Sequence, residues 1–165
     1  MTTLSFLSPS RCDSETLVSP LRRALERADE PSLHDLSLEG KVEIRGDVDR
    51  LELGTADELV RLTPRRALLL GVEDPLQAVE RIRVEGLLAY DMTGALAGLA
   101  LEGERLMRRL TDLDLDSLPT PGTFARIGAI IVRDEGERFR VYFPQELGHY
   151  VAEVVLDAIA GLENR

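Results

Sequence analysis

The chain switches repeatedly between two hydrophobic periods, and the switches divide it into elements. Residues 41 to 45, Lys-Val-Glu-Ile-Arg, alternate strictly. That pattern predicts a half-buried strand with Val42 and Ile44 inward and Lys41, Glu43 and Arg45 outward, ended by Gly46. The stretch after it shows neither period clearly until Arg66 to Leu70, a short apolar strand closed by Gly71. Leu87 to Met92 and Ala95 to Leu101 read as strands, the second rich in small residues that suit close backbone packing. Residues 124 to 133 and 138 to 143 read as two strands around Asp134-Glu135-Gly136-Glu137, the composition of a hairpin turn.

Helical spacing appears in four places. Ser19-Pro20 opens an amphipathic helix with Leu17, Leu21, Leu25 and Ala28 on one face up to Pro31. Asp74-Pro75-Leu76-Gln77 supplies a capping carboxylate, a first-position proline and a glutamine three residues after the cap; Leu76, Val79 and Ile82 form the buried stripe and Gly86 the stop. Glu104 to Leu110 is a short helix burying Leu106, Met107 and Leu110, followed by a proline-bounded loop over residues 111 to 122. Leu147, Tyr150, Val151, Val154, Ala158 and Ile159 mark the strongest helix, over 145 to 160, with Gly161 as its C-terminal cap.

One pattern occurs twice. Asp35 to Gly46 matches Asp91 to Gly103 if one inserted residue is allowed: Asp, an apolar residue, Ser or Thr, then a strand, then glycine and an acid. A short aspartate or hydroxyl side chain can hydrogen-bond nearby backbone at a bend, and glycine permits the reversal after the strand. An antiparallel sheet with one open face needs a helix to cover it. The expectation is therefore α+β: an N-terminal arm and helix over residues 1–30, then a single compact domain over 31–165. That domain is expected to hold two similar ferredoxin-like half-repeats, about 31–86 and 87–165, which pack together or exchange elements.

Composition narrows the function classes. A chain of 165 residues that is 44% hydrophobic is not disordered. No apolar run approaches the roughly 20 residues that span a bilayer, and the N-terminus lacks the order of a signal peptide, so the expected compartment is the cytoplasm. Cys12 is the only cysteine, which excludes an internal disulfide and a cysteine metal cage. A net charge of −10 argues against nucleic acid, with Arg22-Arg23, Arg65-Arg66 and Arg108-Arg109 read as solvated helix faces or interchain ion pairs. Lys41 is the sole lysine.

Asp112, Asp114 and Asp116 begin like a calcium loop, but Ser117 and Thr123 stand where its glycine and bidentate glutamate belong, so they read as a solvated acidic turn or one that caps backbone amides. His34 and His149 are too few for a histidine metal site, although His34 beside Asp35 has the makings of a proton-transfer pair. No dinucleotide, phosphate-loop or nucleophile-elbow motif is present. No catalytic residue and no metal ligand is assigned.

Residues 35–46, DLSLEGKVEIRG, and 90–103, YDMTGALAGLALEG, resemble the two signature stretches of sarcosine oxidase gamma subunits. The block from Thr111 to Ala158, with its Pro-Gly turn, arginine-bearing strand, hairpin and final helix, resembles that family's closing block, and ALLLGVEDPL (67–76) its first-half turn. The resemblance covers residues 31 to 160. It implies a fold related to the folate-binding aminomethyltransferases and the T-protein of glycine cleavage. It also implies a noncatalytic subunit of a heterotetramer that oxidatively demethylates sarcosine, with flavin and NAD carried by the larger oxidase subunits.

Where the folate enzymes carry a Gly-Gly-x-x-Asp-Asp-like stretch, this chain runs from Ile127 to Arg133 without an acid. Arg126, Arg133 and Tyr142 are the cofactor-side candidates. The arginines, with Arg138 and Arg140, suit an anionic group such as a polyglutamyl tail, and Tyr142 with Phe143 suits stacking on a pterin. The plainer reading pairs the arginines with Glu135 and Glu137 and places the aromatics in the sheet core. The second functional expectation is a free-standing tetrahydrofolate-binding or aminomethyltransferase-like protein, in which a homodimer rebuilds the two-half architecture.

Overall fold

Pleated strands put alternate residues on opposite faces, so the two apolar sets of each strand show what lies above and below it. The computed structural model describes residues 17–28, 30–51 and 58–163. Cys12 and the first part of the arm fall outside them. The helices are α1 (Arg22–Ala28), α2 (Pro75–Val84), α3 (Glu104–Leu110) and α4 (Gly148–Glu163). The strands are β1 (Leu33–Asp35), β2 (Gly40–Arg45), β3 (Glu58–Thr63), β4 (Arg66–Val72), β5 (Leu88–Asp91), β6 (Leu96–Glu102), β7 (Thr120–Phe124), β8 (Ile127–Arg133) and β9 (Arg138–Pro144). They form two antiparallel sheets, β3-β4-β2-β5 and β1-β6-β9-β8-β7.

The sheets face one another, and helices cover their outer sides. Val42, Ile44, Leu69 and Ala89 of the first sheet pack with Ala78, Val79 and Ile82 of α2. Leu99, Leu101, Ile131, Val141 and Phe143 of the second sheet pack with Leu21 and Ala24 near and within α1, Leu106 and Met107 of α3, and Val151 and Val155 of α4. Between the sheets lie Val60, Leu68 and Leu70 from one side and Val132 and Tyr142 from the other. The fold is thus α+β, two helix-covered antiparallel sheets in the manner of two ferredoxin-like halves. No helix among the described residues is long and apolar enough to cross a membrane.

The repeat trades strands. β1, ahead of the first motif, joins the sheet built from the later part of the chain, and β5, ahead of the second motif, joins the sheet of β2 to β4.

The Asp74 cap forms as its sequence requires: Gln77 N donates to Asp74 Oδ1 at 3.0 Å. Asp74→Ala is expected to lower stability by about 1 kcal/mol, seen as a lower urea midpoint; an unchanged midpoint would mean that water replaces the carboxylate at no cost.

Several sequence expectations need correction. Lys41 and Glu43 are buried, because the face opposite Val42 and Ile44 meets a second sheet instead of solvent. Leu76, expected in the buried stripe of α2, is 59% exposed. Ala28 is exposed at the end of α1, and Gly161 lies inside α4. Tyr150 leaves the apolar stripe and donates its hydroxyl to Ala125 O at 2.9 Å. The expected strand over 124–133 is a hairpin: Ala125 and Arg126 both have positive φ, 48° and 65°, and turn β7 into β8. β7 therefore takes the end of the expected loop, while Asp114 Oδ1 accepts from Asp116 N in the single turn before it. β3, which the sequence did not announce, is an edge strand of mixed burial.

Candidate functional site

The two motifs meet at the centre of the molecule. In each, the aspartate closes the bend on its own backbone: Ser37 N donates to Asp35 Oδ1 and Thr93 N to Asp91 Oδ1, both at 2.9 Å. With the inserted residue allowed for, Lys41 is the counterpart of Gly98. Each motif binds the other's counterpart residue. Leu36 N donates to Gly98 O at 2.9 Å, and Met92 N to Lys41 O at 2.8 Å. Gly98 N donates to Ser37 Oγ at 3.3 Å, and Lys41 N to Thr93 Oγ1 at 3.1 Å. The strand registers agree, pairing Asp35 with Leu99 and Asp91 with Val42. The duplication read in the sequence is therefore a reciprocal clasp with pseudo-two-fold character.

At the centre of the clasp the halves differ. A Cβ on Gly98 would sit 2.9 Å from Leu36 Cβ and 3.0 Å from Tyr142 Cε1, so this position admits only glycine without rearrangement. Lys41, its counterpart, is fully buried and turns its ammonium back onto the first motif. Lys41 Nζ donates to Leu36 O and Ser37 O at 3.0 Å and to Glu39 O at 2.7 Å. It also stands 5.9 Å from the centre of the Tyr142 ring. Burial lowers the Lys41 amine to about 8, against the opposing pull of Glu39, Asp35 and Asp91.

A second ionic cluster borders the first. Glu43, directed like Lys41 between the sheets, accepts from Arg66 Nε and Nη2 at 2.9 Å and from Arg45 at 2.5 Å. Burial pushes its carboxyl up, but the bonds and charges of Arg66 and Arg45 outweigh that and hold it below the usual carboxylate range. Arg140 donates to Asp134 at 2.7 Å and also pairs with Glu58, joining β9 of one sheet to β3 of the other. Among the described residues, every buried side-chain nitrogen or oxygen has a hydrogen-bond partner. The cluster thus fixes backbone and locks sheet to sheet; its amine is enclosed and its donors are engaged.

The sequence candidates do not converge. Arg126 is exposed at the β7–β8 turn and lines a cleft with Arg109 and Tyr150. Arg133 lies at the far end of β8, about 20 Å away at strand spacing. It pairs with Asp116 at 3.0 Å and Glu104 at 3.4 Å and stacks on Phe139. Tyr142 is 1% exposed, with Lys41 over its ring, so a pterin does not stack there unless the sheets part. His34 and His149 are both exposed, His149 standing 3.9 Å from Glu153. What sequence reasoning missed is Lys41. Its signal was being the only lysine in a chain whose other basic residues are all arginine, since a compact ammonium suits a cage of carbonyls and a planar guanidinium does not.

Beside the clasp opens a cleft of about 850 Å³ between the first motif and the start of α2. Leu38 and Leu76, 56% and 59% exposed, line it together with Glu39, Glu73, Asp74 and Asp91. Its floor includes Gly40, where a Cβ would fall 1.9 Å from Val72 O.

No family profile matches the sequence. No curated protein matches it either. Among solved structures, a chain of the heterotetrameric sarcosine oxidase from Corynebacterium sp. U-96, in complex with pyrrole 2-carboxylate, is similar over 88% of this chain and 95% of that one. The TM-score is 0.74 at 16% identity, which establishes likeness of fold. E. coli aspartokinase III, in complex with lysine and aspartate, matches 74% of this chain and 31% of its own at 13% identity, with a TM-score of 0.40.

Proposed function

We propose that the chain is a gamma-subunit-like, noncatalytic assembly component of a sarcosine-oxidase-type complex, in which larger partner subunits carry the flavin and nicotinamide sites. The observation that carries this reading is the near end-to-end correspondence with a chain of a heterotetrameric sarcosine oxidase. The interior supports it. Lys41, Glu43 and Arg140, the ionic groups between the sheets, are committed to the chain's own backbone and carboxylates.

Purification of the tagged chain from its source under mild conditions tests the proposal. The expected result is stoichiometric recovery of larger subunits and a flavin absorption band in the complex; a chain that elutes alone sinks the reading. Titration of the isolated chain with tetrahydrofolate is expected to give no heat. Saturable binding in the micromolar range would replace this reading with a free-standing folate-binding protein.

A further inference from the structure

The clasp makes the halves comparable, and one difference lies on the surface. In the second half, the start of α4 is covered by the chain: a Cβ on Gly148 would lie 2.6 Å from Pro20 Cβ, so Pro20 seals that corner. The corresponding start of α2 has no such cover among the described residues. It opens on the cleft between Leu38 and Leu76, two of the seven large hydrophobic residues the described structure leaves exposed.

The charges around this cleft run one way. Glu39, Glu73, Asp74 and Asp91 line it, and no Lys, Arg or His is among its described lining residues. Asp74 and Asp91 also accept backbone hydrogen bonds, from Gln77 and Thr93, which fixes their carboxylates in place. Two exposed leucines inside an acidic rim match an apolar side chain flanked by cations. Leu17 also lines the cleft, and residues 1–16 precede it in the sequence. They carry one base, Arg11, against Asp13 and Glu15, and so answer the rim poorly.

Resting on the assembly reading above, we propose that this cleft is the docking site for a segment of a larger partner subunit. That segment inserts an apolar side chain between Leu38 and Leu76 and sets lysine or arginine against Glu39 and Glu73. A protein of net charge −10 then approaches its partner acidic face first, with association weakened by salt.

The test uses the full chain, tagged and expressed in its source. Leu76→Glu and the double variant Glu39→Arg/Glu73→Arg alter exposed side chains; Glu135→Arg, in the β8–β9 turn, is the control. The expected result is an about tenfold loss of the co-eluting larger subunit for both cleft variants and none for the control. Carbodiimide coupling of the wild-type complex should join Glu39 or Glu73 to a partner lysine with apolar neighbours. Wild-type recovery by the cleft variants overturns the docking site and leaves the assembly reading intact. A wild-type chain that elutes alone overturns both. Two further outcomes also overturn the proposal: the variants destabilise the isolated chain as much as deleting residues 2–16 does, or they abolish a self-association of the wild type. The cleft would then belong to the chain's own N-terminus or to a second copy.

Discussion

Replacing Lys41 with methionine lowers the unfolding free energy by roughly 3 kcal/mol, since it removes three hydrogen bonds donated by Nζ, one of them to the buried Ser37 carbonyl. Methionine keeps the length and the apolar stem, so the transfer of the side chain is nearly neutral. What disappears is the donor. Ser37 O and Glu39 O lose their bonds from the ammonium, whereas Leu36 O keeps one from Glu39 N at 3.2 Å. Lys41→Arg is not expected to restore the loss, because a planar fork cannot address three carbonyls that converge on one point. Urea unfolding with an unchanged slope reads the effect. A midpoint equal to the wild type would show that the first motif holds its bend without the ammonium.

The pH dependence separates the charge from the packing. Burial lowers the Lys41 amine to about 8 in the folded chain, from an ordinary value of 10.5. Between those values the unfolded chain holds the proton and the folded chain has released it, so wild-type stability rises with pH across that window. The methionine variant lacks the rise, and the gap between the two proteins widens toward high pH. Tyr142, pushed up to about 12 by burial, acts in the opposite sense above its ordinary value of 10.0. The comparison is therefore read between about pH 8 and 10.0, below the range in which the tyrosine titrates.

Gly40→Ala is expected to cost roughly 3 kcal/mol or more, at the upper end of overpacking penalties, because the obstacle is backbone. The new methyl would stand 1.9 Å from Val72 O and 2.8 Å from Pro75 Cγ. Gly40 pairs with Val72 across β2 and β4, and the register shifts between Gly40 and Lys41. Relief therefore means opening the end of that ladder and moving the start of α2. Gly128→Ala is the control, as nothing lies within 4 Å of its Cβ position; its stability should stay within about 0.5 kcal/mol of the wild type. If both alanines prove harmless, the close approach of β2 to β4 is softer than its geometry states.

Most of the chain was legible in its hydrophobic periods. The Asp74 cap, the Glu104 to Leu110 helix and the turn at Asp134 to Glu137 each rest on local chemistry that tertiary packing reinforced. The failures share a physical cause, which is that a strand's own alternation does not say what covers its polar face. Lys41 and Glu43 alternate as solvent-facing residues do, yet a second sheet lies over them; main-chain carbonyls solvate the ammonium, and Arg66 and Arg45 pair with the carboxylate. The Ala125-Arg126 turn carries no glycine, asparagine or aspartate to announce its positive φ. The candidate residues Arg126, Arg133 and Tyr142 share one hairpin region in sequence and three environments in space, because β8 separates the two arginines and the inter-sheet layer encloses the tyrosine.

The reciprocal placement of β1 and β5 bears on how the protein can come to exist at all. The sheet of β6 to β9 takes one edge from residues 33 to 35 and is complete only at Pro144, so β1 must wait for strands made more than 60 residues later. Such wide sequence separation slows the search for the native state. It also binds the two layers into a single cooperative transition, in which damage to one half is registered in the other.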